Sequence, residues 1–449
     1  MPDVPPVSLG ETDFSRRLFL SLAAAAGAAA GRTIPFSVFA QAGEEELPVT
    51  GVAQADLEPF DRLMASFVEE HNVPGAALAV TQRGRLVYAR GFGFADVEQK
   101  QPVQPASLFR IASISKPLTA VAIMQLVERN KLQLDDSVLP LMQLEPLLPA
   151  GSTPDSRWEQ ITIPQCLQHT GGWDRSITPD PIGRAWEIAA ALGIQPPVTP
   201  AHIVRYMMGQ PLDFDPGERY AYSNLGYLIL GRIIEAVTGQ TYEAHVKQMV
   251  ARPLGIRTLQ LGRALMENRA EGEVRYYDSE QRTGKSLYPP LVGQEVPRPY
   301  GGDNLEAYEA HGGWIASVVD LVRFAAAFDD PARCPLLGAA AIREMWARPE
   351  GAAGHEDDGS PKAVYYGCGW NVRPVGTTGK SNNWHAGFIP GSESLLVRRW
   401  DGLNWAVLFN THRNHTGKSL ASQIDGRLHE AADQVKAWPE TDQFDRFLK

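Results

Sequence analysis

The placement of strand-forming segments constrains this chain more than any other feature. Apolar runs at residues 76–81 and 85–90, split by a turn at Gly84, read as a β-hairpin near the N-terminal end. Residues 364–372, 394–399 and 404–409 read as strands near the C-terminal end. Between these blocks the pattern is helical, with long loops. Strands at both ends with helices between them imply one antiparallel sheet completed by both termini. The expected fold class is α+β, an α/β sandwich. Helices flank the sheet, and an all-helical lobe, roughly residues 130–300, is inserted.

The helices carry clear start and stop signals. Residues 56–71 place Leu57, Phe60, Leu63, Met64, Phe67 and Val68 at helical spacing, and Pro74 stops them. Residues 114–130 form a second helix, whose Pro117 must lie in the first turn. Proline inside a helix costs about 3 kcal/mol, so this helix starts near Ser113. Thr199 caps a helix that ends at Gly209. Residues 225–237 follow Ser223 or Asn224 as cap, and Thr241 caps another helix, ended by Pro253. Ser317 and Asp320 are a capping pair for residues 317–328, and residues 419–435 close the chain. Residues 271–302 hold Gly, Pro and Tyr without periodicity. No internal repeat is seen.

At 449 residues, with 44% hydrophobic and 21% charged residues, the chain can bury a large core. That composition excludes wholesale disorder, collagen and a polytopic membrane protein. The formal charge of −10 argues against nucleic acid, whose phosphates would repel it. A small-molecule or peptide substrate is the expected partner, and the oligomeric state is open.

Ser15-Arg16-Arg17-Leu18-Phe19-Leu20 precedes an Ala-rich apolar run at residues 22–31, and Ala40-Gln41-Ala42 is a small-x-small cleavage site. The expectation is a signal peptide over residues 1–42, similar to the twin-arginine type that exports folded proteins. The run is too short to span a bilayer comfortably. Residues 43–449 are then a single exported domain, periplasmic or extracellular, with no integral membrane span after cleavage. Cys166, Cys334 and Cys368 show no CxxC pairing, and three buried thiols are expected. No Cys/His cluster has zinc spacing. His412 and His415 read as surface or loop residues. No metal or cofactor is implied.

Ser113-Ile114-Ser115-Lys116 is the one Ser-x-x-Lys in the chain. Three residues apart at a helix start, Ser113 and Lys116 share a face, and the positive end of the helix favours a developing anion. A serine hydroxyl needs a neighbouring base, and lysine serves when burial or other cations lower its pKa. Tyr222-Ser223-Asn224 lies between a turn and a helix. A Tyr beside a Lys can shuttle protons, and an Asn amide can hold a substrate carbonyl. His385-Ala386-Gly387 starts a third segment, of strand character. Its Gly admits close approach to the backbone, and the next amide, of Phe388, can point at an oxyanion.

In this order and at these separations, the three elements resemble those of the penicillin-recognising serine hydrolases. The branch is that of class C β-lactamases, D-alanyl-D-alanine carboxypeptidases, D-aminopeptidases and related esterases. Residues 108–116, 167–172, 213–227 and 311–324 support the resemblance. It implies Ser113 as nucleophile and Lys116 with Tyr222 as the groups that handle its proton, in either order. It implies substrate contact by Asn224 and an oxyanion hole from the amides of Ser113 and Phe388. The third motif departs from the Lys-Thr-Gly of β-lactamases in this branch. His385 has no permanent charge and Ala386 has no hydroxyl for a β-lactam carboxylate. This favours an esterase or peptidase over a dedicated β-lactamase. Insertions at residues 144–158, 173–198 and 269–302 bring Trp173, Trp186, Tyr276, Tyr277 and Tyr300, either as pocket walls or as core. A G-x-S-x-G elbow is absent from the sequence, and Gly417-Lys418-Ser419 lacks the earlier glycine of a P-loop, having His412 there. The alternative from another class is a non-catalytic binder of cell-wall peptides or other ligands on the same fold.

Overall fold

Alternate side chains of a strand face opposite sides of a sheet, and the central strands here bury both sides. The computed structural model describes residues 46–148, 151, 153–377, 379–414 and 416–447. The expected signal peptide lies outside the described residues. The main sheet contains β1 (Val49–Gly51), β2 (Gly75–Gln82), β3 (Arg85–Asp96), β4 (Tyr365–Tyr366), β5 (Asn371–Val375), β6 (Lys380–Ile389), β7 (Ser392–Arg398) and β8 (Leu403–Phe409). Their order is β1-β3-β2-β8-β7-β6-β5-β4, with the short strand Gln101–Pro102 paired to β3. β2 lies antiparallel to β8, with Ala79 opposite Ala406. The two ends of the chain therefore meet in mid-sheet.

Five helices matter most to the layering: α1 (Glu58–Glu70), α2 (Ser115–Glu128), α3 (Asn224–Thr238), α4 (Val318–Ala326) and α5 (Leu420–Gln434). One sheet face turns Leu78, Val80, Trp405, Val407 and Phe409 toward α1 and α5, which answer with Phe60, Met64, Phe67, Leu420, Ile424 and Leu428. Burying side chains of this size contributes about 1.5–3 kcal/mol each. The opposite face offers Ala77, Ala79, Ala406 and Leu408 to the core that holds α2 and α4. The alanines let helices approach the sheet closely on that side. Capping follows the expected chemistry. Thr199 Oγ1 accepts from the His202 amide at 3.2 Å, and Ser317 and Asp320 form a reciprocal box.

Several expectations need correction. Residues 364–372 are not one strand: β4 and β5 are separated by a turn whose Gly369 has φ +82°. That glycine packs on α2 so closely that a Cβ would lie 2.7 Å from the Ala120 methyl. The inserted lobe is not all-helical. Thr283–Lys285 pairs with Glu295–Pro297, and Gln260–Leu261 joins Trp314–Ala316 and Phe109–Arg110 in a small second sheet. Cys166 and Cys368 are buried but Cys334 is only half-buried, in the loop after α4. His412 is fully buried rather than superficial, because its Nδ1 accepts the Gly391 amide at 2.8 Å. His415 lies outside the described residues. Among the described residues, no helix is long and apolar enough to cross a membrane.

Candidate active site

Ser113 sits at a junction that the backbone holds under strain. Phe109–Arg110 ends in Ile111, whose amide bonds the Trp314 carbonyl at 3.0 Å. Ala112 then adopts φ +47°, a conformation that costs a residue with a Cβ on the order of 1–2 kcal/mol. Ala112–Ile114 form one tight turn before α2 begins at Ser115, and Pro117 falls in its first turn. Within residues 108–126 Ser113 alone is not fully buried. The sequence thus presents one hydroxyl at the surface of an apolar helix start.

Lys116 lies one turn inward, with no exposed surface. Its Nζ reaches Ser113 Oγ at 3.0 Å, Asn224 Oδ1 at 2.8 Å and the His311 carbonyl at 3.0 Å. All three partners are uncharged. Burial holds its pKa well below that of an ordinary lysine; Asp180 opposes this and Arg175 adds to it. The Tyr222 hydroxyl donates to Ser113 Oγ at 2.8 Å. Burial pushes this phenol up, against the pull of its bond to Ser113, so it stays protonated. Ser113 Oγ therefore faces an amine that readily loses its proton and a phenol that keeps its own. Such a pair can take a proton from a hydroxyl and pass one on.

Four of the expected residues, Ser113, Lys116, Tyr222 and Asn224, share this one hydrogen-bonded cluster. Asn224 is engaged at both ends, because its Nδ2 donates to Asp180 Oδ2 at 2.7 Å. Its amide faces Lys116 and Asp180 rather than an open substrate space. His385 lies in mid-strand, not at a strand start, on the inward face of β6. Its Nδ1 donates to the Ala386 carbonyl at 2.7 Å and its Nε2 accepts from Tyr366 at 2.9 Å. Burial and the Lys116 charge lower its pKa to about 3, so the ring is neutral. It connects to Tyr222 through a series of tilted ring contacts: the Tyr366 ring centroid lies 4.4 Å from that of His169, and His169 4.3 Å from Tyr222. Gly387 lies against the Ser113 turn, where a Cβ would collide with the Ile111 carbonyl. β5 pairs with β6 only as far as Trp384, so Phe388 stands beyond that pairing, its ring exposed and edge-on to His412 at 5.0 Å. Of the insertion aromatics, Trp173 and Tyr276 are core and Trp186 is exposed.

Asp278, Glu280 and His412 bring potential metal-ligand atoms within 4.8 Å of one another. Arg282 already fills that space: its guanidinium lies 3.1 Å from each carboxylate and 2.8 Å from His412 Nε2.

A family model described as Beta-lactamase matches residues 60–428. The chain belongs to the Beta-lactamase family. A relative named esterase EstB, from Burkholderia gladioli, is 32% identical over 248 residues, covering 54% of this chain and 59% of that protein. Protein flp of Staphylococcus aureus (strain N315) is 28% identical over 202 residues, covering 44% of this chain and 36% of its own. The chain thus spans less than two thirds of either relative's length. Among solved structures, the octameric penicillin-binding protein homologue from Pyrococcus abyssi matches with TM-score 0.60 and 26% identity, over 86% of this chain and 79% of that one. The D-amino acid amidase from Ochrobactrum anthropi SV3 matches with TM-score 0.63 and 22% identity, over 85% and 99%, which shows likeness of fold alone. In this Beta-lactamase family chain, Asp180, Arg175, His169 and Tyr366 surround the cluster without having been singled out from the sequence. Residues 167–172 and 173–198 had marked the right neighbourhood, but an isolated Asp or Arg in a loop carries no pattern.

Proposed function

We propose that the protein is a serine hydrolase that cleaves an ester or amide bond through an acyl-enzyme on Ser113. Ser113 Oγ attacks the carbonyl carbon while its proton passes to Lys116. The amides of Ser113 and Phe388 hold the oxyanion, and Tyr222 delivers a proton to the leaving alcohol or amine as the C–O or C–N bond breaks. As the leaving group departs, Lys116 passes its proton on to Tyr222 and is neutral again; water then attacks the acyl-enzyme and gives a proton to Lys116, which returns it to Ser113 Oγ as the acid leaves. The observation that carries this is the pair of contacts to Ser113 Oγ, 2.8 Å from Tyr222 and 3.0 Å from a buried Lys116. The depressed lysine and the elevated tyrosine favour Lys116 as base and Tyr222 as proton donor. Ester or amide substrates are favoured over β-lactams, since His385 is buried and neutral and Ala386 lacks a hydroxyl. The names of its relatives, an esterase and a D-amino acid amidase, point the same way. The paired arginines Arg16 and Arg17 support action outside the cytoplasm.

The test is hydrolysis of p-nitrophenyl acetate by the protein and by Ser113→Ala. Turnover by the first and none by the second establishes Ser113 as nucleophile. Equal turnover by both sinks the assignment.

A further inference from the structure

A neutral lysine amine has two hydrogens and one lone pair. Lys116 Nζ has three hydrogen-bond partners: Ser113 Oγ, Asn224 Oδ1 and the His311 carbonyl. The last two can only accept. They consume both hydrogens, so the lone pair must point at Ser113, whose hydroxyl can donate to it. This holds only while Asn224 presents its oxygen. A side-chain amide turned by half a revolution would present its NH2, which would donate into the lone pair and block the base.

What prevents that turn is Asp180. Its Oδ2 accepts from Asn224 Nδ2 at 2.7 Å, and its Oδ1 accepts from the Ile182 amide at 3.2 Å. A carboxylate cannot donate, so it fixes which end of the amide faces it and leaves the oxygen for Lys116. We propose that Asp180 is a positioning residue for the reaction: acting through Asn224, it aims the lone pair of Lys116 at Ser113. The inference rests on Lys116 as the base. Asp180 also supplies a negative charge held one amide away from the amine, opposed by the Arg175 guanidinium 5.0 Å above the Tyr222 ring. The other titratable groups around Lys116 are Tyr222, Tyr227, His169, His311 and His385. Burial keeps the two phenols protonated and the three imidazoles uncharged.

The two roles separate in two substitutions. Asp180→Asn removes the charge and can still offer Asn224 an oxygen, beside an NH2 that can donate; Asp180→Leu removes charge and acceptor alike. The full chain is assayed against p-nitrophenyl acetate across pH, with thermal melts to establish folding. For Asp180→Asn the acid limb of kcat/KM moves to lower pH by about one unit, because the base loses a charge that favoured its protonated form. For Arg175→Gln the limb moves the opposite way. For Asp180→Leu the plateau kcat falls tenfold or more, with KM little altered. A limb that stays in place in Asp180→Asn, or an Asp180→Leu plateau equal to that of the parent, overturns the inference. If Asp180→Leu does not fold, Asp180→Asn and Arg175→Gln decide alone by the direction of their limbs. Lys116→Ala separates the two levels. If it is inactive while the Asp180 variants match the parent, only the role of Asp180 falls. If it is as active as the parent, the assignment of Lys116 as base falls with it.

Discussion

Arg110 and Lys116 are two buried basic side chains six positions apart, on either side of the Ala112 turn, and their surroundings differ. The Arg110 guanidinium donates to the Pro299 and Arg263 carbonyls at 2.7 and 2.8 Å, lies 4.2 Å from the Tyr276 ring centroid, and faces the buried Glu273 carboxylate at 3.8 Å. It is an arginine, a permanent charge, and it meets a carboxylate directly. Lys116 meets uncharged oxygens, with its carboxylate, Asp180, set behind the Asn224 amide. Burial alone does not decide whether a basic side chain keeps its charge. The identity of the group touching it does.

Breaking the Arg110 side should cost stability first. Arg110→Met leaves the Glu273 charge buried without its cation, a loss of about 3–5 kcal/mol, measured by denaturant unfolding; an unchanged midpoint would show the pair to be dispensable. Next in size is Gly387→Ala, whose methyl would strike the Ile111 carbonyl between the two basic side chains. A displacement of this kind costs on the order of 100-fold in kcat/KM, read with p-nitrophenyl acetate. The comparison can also be inverted at constant charge. Asn224→Asp combined with Asp180→Asn brings the carboxylate into contact with Lys116, making it resemble Arg110. Its protonated form is then favoured, so the acid limb of activity should move to higher pH by about 1–3 units. A limb at the parental position would show that the amide is not what keeps Lys116 reactive. The smallest effect belongs to Ala112→Gly. Removing the Cβ at φ +47° should stabilise the fold by about 1 kcal/mol, visible as a raised melting temperature.

Long periodic segments were legible in the sequence because their physics is local. Thr199, Ser317 and Asp320 announced their helices through caps, and Pro117 located the start of α2 to within two residues. The two blocks of strand-forming segments implied the sheet, since β2 and β8 need a common face to bury. What escaped was decided by tertiary contact. Trp314–Ala316 is too short to show a period, and it is a strand because Phe109–Arg110 and Gln260–Leu261 border it. Residues 364–372 looked continuous, yet the Gly367-Cys368-Gly369 turn divides them where the backbone meets α2. In the candidate site, Ser113, Lys116, Tyr222 and Asn224 were visible as motifs. Asp180 was not, because only folding brings its loop to Asn224. His385 belongs by motif to the expected substrate and oxyanion group, whereas the alternation along β6 puts it with Asn383 and Gly387 on the buried side.

The union of both chain ends in one sheet also has a temporal side. Ile111, two residues before Ser113, is supported by the Ser394 hydroxyl at 2.9 Å, across 283 positions of sequence. A ribosome that has just made the Ser113 turn has most of the polypeptide still to add. Pairings across such separations form slowly and late. The Ser113 turn therefore lacks its Ser394 support until β7 has been made. On this order of assembly, a partial product would carry Ser113 without the strand that supports its turn.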